Sequence, residues 1–126
     1  MRRAGHERGQ ATVELALCLP VVLFVLGALV EVGLIASDQV RLWHAAREAA
    51  RSAVVDSDRA TALRAAEGAG FGSLRLSVHP EPALRRAGDA LTVDVEYDRP
   101  AVMPVIGALF ERVDLAASAT MRIEEP

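Results

Sequence analysis

The sequence predicts an α+β fold: a long N-terminal helix that spans a membrane and continues beyond it, a short second helix, and a small three-stranded antiparallel sheet. Three observations predict it. Residues 15–36 form an apolar run with Glu31 as its one charge. Small apolar residues then recur at helical spacing to about Val55. Three later stretches alternate apolar and polar side chains with the period of half-buried strands.

The chain has 126 residues and a net charge of −3. That balance is too mild to point to nucleic acid, and the arginines are scattered rather than striped along one face. All fourteen basic residues are arginine, which, with the abundant alanine, reads as genome composition. Cys18 is the single cysteine and lies inside the apolar run, so no intramolecular disulfide can form. After that run 90 residues remain (37–126), enough for one small domain that buries little surface and would gain from packing on a neighbour.

Residues 15–30 carry no charge. Residues 15–36 rise about 33 Å as a helix, enough for a hydrocarbon core of about 30 Å, and in lipid the backbone must satisfy itself internally. Pro20 removes one donor and is expected to loosen the first turns, whereas Gly27 and Gly33 permit close approach of another helix without forming a Gly-x-x-x-Gly pattern. Arg2, Arg3 and Arg8 precede the run against the single acid Glu7, and Asp38 follows it, so the N-terminus is expected in the cytoplasm. The expected organisation is a basic cytoplasmic leader (1–9), a transmembrane helix (10–36) and an extracytoplasmic domain (37–126). A cleaved secretory signal fits less well. The run exceeds the usual length of about 7–15 residues, and Leu34-Ile35-Ala36 is a poor cleavage site.

At the mouth of the run stand Gly9-Gln10-Ala11-Thr12-Val13-Glu14. An acid in the first turn of a helix ordinarily complements the helix dipole. Here it comes with a basic leader, a glycine and a spacing of five, and the stretch resembles the type IV prepilin processing site. Arg8-Gly9-Gln10-Ala11-Thr12-Val13-Glu14-Leu15-Ala16-Leu17, with Pro20 nearby, is similar to the start of TadE-like proteins, minor pilins or pseudopilins of the tight-adherence pilus system. Glu31-Val32-Gly33 and His44-Ala45-Ala46-Arg47-Glu48-Ala49-Ala50-Arg51-Ser52-Ala53 also resemble that family's helix, although the family usually has glycine where Ala49 stands. The likeness covers roughly residues 8–55.

The resemblance implies that a membrane peptidase cuts after Gly9, making Gln10 the first mature residue and Glu14 the fifth. The new ammonium at Gln10 would lie one turn from Glu14, which can neutralise its own or a neighbour's amine during assembly. A carboxylate near the interface is costly without such a partner. Glycine suits a narrow peptidase pocket and lets the chain there stay unwound. Gln10 is not the aromatic or methionine of most major pilins, which favours a minor subunit. The implied partners are a prepilin peptidase, other pilins, the inner-membrane assembly platform and the lipid bilayer. The implied location is the bacterial cytoplasmic membrane, single-pass and possible to follow into a pilus.

Beyond the run, Ser37 and Asp38 can cap a new helix, yet nothing between Ala36 and Gln39 compels a break. One helix is therefore expected from about Ala11 to Val55. Trp43, Ala46, Ala50, Ala53 and Val54 form its apolar stripe, with Trp43 either an interfacial anchor or, the favoured reading, a core residue. Ser57 or Asp58 caps a second helix over residues 59–67, which Gly68-Ala69-Gly70-Phe71-Gly72 ends. Strands follow around Leu74–Val78, Leu91–Asp98 and Val113–Ile123. Residues 102–110 are apolar but broken by Pro104 and Gly107, and read as a loop or short helix over the sheet edge or a patch for a neighbouring subunit.

Competing chemistry is weak. The glycine cluster lacks a P-loop lysine and precedes no helix. His6, His44 and His79 have no ligand spacing, and no cofactor or metal site is expected. Asp94, Glu96 and Asp98 share a strand face without further ligands and read as a solvated row. No nucleophile elbow or His–carboxylate pairing occurs, so no enzyme is expected. Glu31 lies deep enough to need an answer for its charge: a partner in a helix bundle, a proton, or reach to water at the outer interface. It is expected to contribute to assembly. The alternative reading is an uncleaved, signal-anchored protein whose outer domain binds or senses something.

Overall fold

A single helix, α1 (Ala4–Val55), carries everything else. The computed structural model describes residues 4–102, 107–108 and 112–123, with side chains from Gly9 onward. At 52 residues α1 is about 78 Å long. It begins well before the expected Ala11. Ala4, Glu7, Arg8, Gln10 and Ala11 are good helix formers, and Gly5 and Gly9 among them cost only about 1 kcal/mol each. Pro20 lies inside the helix, where it leaves the carbonyl four residues earlier without its usual donor. The helix also runs through Ser37 and Asp38 without a break.

After α1 come α2 (Arg59–Glu67), β1 (Arg75–His79), β2 (Ala90–Arg99) and β3 (Val113–Arg122), the α+β architecture that the sequence predicts. The sheet order is β1-β2-β3, and both pairings are antiparallel. Arg75 lies opposite Glu96 and His79 opposite Thr92, while Ala90 lies opposite Arg122 and Arg99 opposite Val113. The apolar segment 102–110 connects β2 to β3 and falls mostly outside the described residues.

The core is the contact between one face of α1 and one face of this sheet. Leu42, Ala45, Ala46, Ala49, Ala50 and Ala53 are buried against Leu76, Leu91, Val93, Val95, Leu115 and Ala117. Small side chains on the helix let its backbone come close to the sheet and to α2, which adds Ala62 and Ala66. Trp43 departs from the expected core position and is 54% exposed. The stripe is phased on Leu42, and the next residue is turned about 100° away from it. His44 is exposed too.

Local chemistry fixes the smaller elements. The Asp58 side chain accepts from the Ala60 N–H at 3.0 Å and caps α2. Asp56 accepts from the Asp58 N–H and the Thr61 hydroxyl, which hold its carboxyl below the usual range. Gly70 has a φ of +89°, and a Cβ there would collide with Arg41. Arg41 donates to the Ala69 carbonyl at 2.8 Å and lies 5.3 Å above the Phe71 ring, tying the turn after α2 back to α1. Arg85 donates to the carbonyls of Pro80 at 3.2 Å and Ala53 at 3.1 Å. It thereby satisfies a carbonyl in the last turns of α1, where no intrahelical donor follows.

The helix phase yields a paired expectation. Ala46→Leu overpacks the α1–sheet contact and should destabilise the detergent-solubilised chain by about 1–3 kcal/mol. Trp43→Ala, on the solvent face, should stay within about 0.5 kcal/mol. Thermal unfolding followed by circular dichroism checks both.

Candidate functional site: the N-terminal motif and the Glu31 pair

The motif residues lie on an uncrowded stretch of α1. Gly9, Gln10 and Glu14 are all exposed, and every residue from 9 to 26 is exposed as well. The Gly9–Gln10 peptide is helical, not unwound as expected. A side chain at Gly9 would meet nothing within 4 Å, so no packing requires glycine there. Its remaining distinction is conformational: glycine leaves a helix about 1 kcal/mol more easily than alanine. Glu14 lies about 6 Å further along the axis than Gln10, one turn away.

Glu31 is a separate feature, about 26 Å along the helix from Glu14. It is only 1% exposed. One carboxylate oxygen accepts from Nη1 of Arg99, at the end of β2, while Arg99 Nε donates to Asp38 Oδ2 at 2.8 Å. Asp38 also lies 3.6 Å from Arg41 Nη1. Arg99 is itself 5% exposed. The other oxygen of Glu31 has no hydrogen-bond partner among the described residues. The partner that the fold supplies for Glu31 is Arg99 of its own sheet, not a charge in a helix bundle as foreseen.

Sequence reading singled out Glu31 but not Arg99. A signal for it exists. Leu91, Val93, Val95 and Tyr97 alternate toward the helix, and Arg99 continues the same parity, so a charge falls where the pattern calls for an apolar residue. The one charge in the apolar run and the one charge on the inward face of β2 meet. Two turns above, Gln39 Nε2 donates to the Ala116 carbonyl of β3 at 2.8 Å, a second polar tie between helix and sheet.

The acidic row on β2 is partly neutralised. Arg75 donates to Glu96 at 3.2 Å and through both terminal nitrogens to Asp98 at 3.0 Å. The charge of Asp98, followed by the hydrogen bonds to Glu96 and Asp98, holds the Arg75 pKa above its ordinary value. Among the described residues no three His, Cys, Asp or Glu side chains converge as metal ligands. Cys18 is an exposed free thiol on the apolar stretch.

A buried ion pair is costly to halve and cheap to replace whole. Arg99→Met leaves Glu31 buried without its cation and should destabilise by about 3–5 kcal/mol. The double variant Glu31→Leu/Arg99→Met should recover most of that loss. Unfolding midpoints of the single and double variants in detergent test the coupling.

Comparison with protein families finds a match between residues 9–51 and the model described as TadE-like protein. The matched stretch starts at the motif glycine and ends near the last turns of α1, leaving α2 and the sheet outside it. No curated protein and no solved structure matches the chain. From Gly9 to Arg51 the chain matches the TadE-like family, the one that the residues around Gly9 and Glu14 resemble.

Proposed function

We propose that this protein is a structural subunit of a tight-adherence, type IV-like pilus system, a minor pilin or pseudopilin rather than an enzyme. The observation that carries the reading is the Gly9-to-Glu14 motif, at the start of the family match and directly before an exposed helix long and apolar enough to cross a membrane. On this reading α1 anchors the chain in the cytoplasmic membrane with its N-terminus inside, and the α2–sheet domain lies on the far side.

A prepilin peptidase then cuts between Gly9 and Gln10. The bond lies within a helix, so the chain must unwind locally to enter the peptidase, and glycine lowers that cost. The new amine at Gln10 lies one turn from Glu14, which neutralises it within the subunit or across to a neighbour. Other pilins and the inner-membrane assembly platform are the partners. The uninterrupted helix through Gly9 is the observation that favours the other reading, an uncleaved membrane anchor bearing a binding or sensing domain.

Gly9→Val separates processing from folding, because nothing packs against that position. Co-expressed with a prepilin peptidase, the native chain should lose residues 1–9 by intact mass, and the variant should keep them while retaining its thermal midpoint. A native chain that keeps its leader under these conditions supports the uncleaved anchor instead.

A further inference from the structure

The uncharged part of α1 is too short to cross a bilayer with the domain held clear of it. Residues 15–30 rise about 24 Å, against a hydrocarbon thickness of about 30 Å. Tilt reduces the rise along the membrane normal further. With Glu14 at one hydrocarbon boundary, Glu31 lies about 26 Å away along the axis, a few Å short of the other boundary.

The sheet descends to that same depth. Arg99 is bonded to Glu31, and Arg99 and Val113 are the last residue pair between β2 and β3. Both ends of the β2–β3 connection therefore start at the level of Glu31. An independent measure agrees. Gln39 is tied to Ala116, which lies opposite Glu96. From Glu96 to Arg99 a strand advances about 10 Å, and from Gln39 to Glu31 a helix advances about 12 Å.

The described residues that follow β2 are apolar, and the exposed Arg112 leads the chain back into β3. Ala101, Val102 and Ala108 are exposed, Val102 at 62%. The sequence has no charged residue between Arg99 and Glu111. Burial of the helix begins below Glu31, at the half-buried Gly27 and Ala28.

We propose that this end of the sheet is seated in the bilayer leaflet on the domain's side, where Ala101, Val102 and Ala108 contact lipid at the headgroup–acyl boundary beside α1. Glu31 and Arg99 reach that depth as a neutral pair, which removes the cost of an uncompensated charge there. On α1 beside this level, Val30, Val32 and Leu34 are exposed as well. The proposal rests on the reading of α1 as a transmembrane helix.

An environment-sensitive fluorophore at single cysteines, in a Cys18→Ser background, tests it. The full chain carrying Val102→Cys, Phe24→Cys or Ser57→Cys is reconstituted into vesicles of phosphatidylcholine and phosphatidylglycerol, then exposed to doxyl-labelled lipid or aqueous iodide. The probe at 102 should emit to the blue of the probe at 57 and lose emission to doxyl lipid, as the probe at 24 does. A probe at 24 that responds to iodide alone overturns the transmembrane reading, and the proposal with it. A lipid-quenched probe at 24 with an iodide-quenched probe at 102 leaves the anchor standing and overturns the proposal. Shielding of position 102 from both reagents assigns the patch to a protein contact, such as a neighbouring subunit, and overturns it as well.

Discussion

The ion pair between Glu31 and Arg99 sets the height of the sheet on α1, and most of the architecture follows from that height. An alanine-rich helix face is nearly featureless, so apolar packing alone specifies the register between helix and sheet poorly. A buried carboxylate and a buried guanidinium must meet, because either one alone in that contact is far costlier than the pair. With Arg99 bound to Glu31 and Asp38, β2 can slide neither up nor down the helix, and β1 and β3 are fixed to β2 by their ladders. Gln39 and Arg85 repeat the constraint further along, at Ala116 and Ala53.

Alanine on α1 serves the same geometry. Five of the six buried residues from Leu42 to Ala53 are alanine, so the bulk of the core comes from the sheet's Leu91, Val93, Val95 and Leu115. Large residues on the strands facing small ones on the helix fill the space at close approach. The polar face of the sheet pairs its own charges, with Arg75 between Glu96 and Asp98 and the Thr92 and Thr120 hydroxyls 2.9 Å apart across the strands.

The features legible in the sequence were those encoded locally. Asp58 and Gly68 bound α2 where capping chemistry places its ends, and period-two alternation located all three strands to within a residue or two. Family likeness from Gly9 onward was legible for the same reason, since a contiguous linear stretch carries it. Features made by long-range contact were not. Trp43 is not placed by the sequence because alanines at 45, 46, 49 and 50 offer the stripe more than one phase, and contact with the sheet selects the one centred on Leu42. The role of Arg99 is not legible locally, because its partner lies 68 residues away in sequence. The helical turns before Ala11 are hard to read because Gly5 and Gly9 are poor helix formers, and the residues between and after them outweigh that cost.

The unbroken course of α1 has a mechanical consequence. Although Pro20 costs it one hydrogen bond, α1 runs helical from Ala4 to Val55, so tension applied at the N-terminal end is carried along it to the domain rather than through an extended stalk. The sheet lies along the helix rather than at its tip, so such a load acts on their seam in shear. In that direction the bonds from Arg99, Gln39 and Arg85 resist together instead of opening one after another like a zipper.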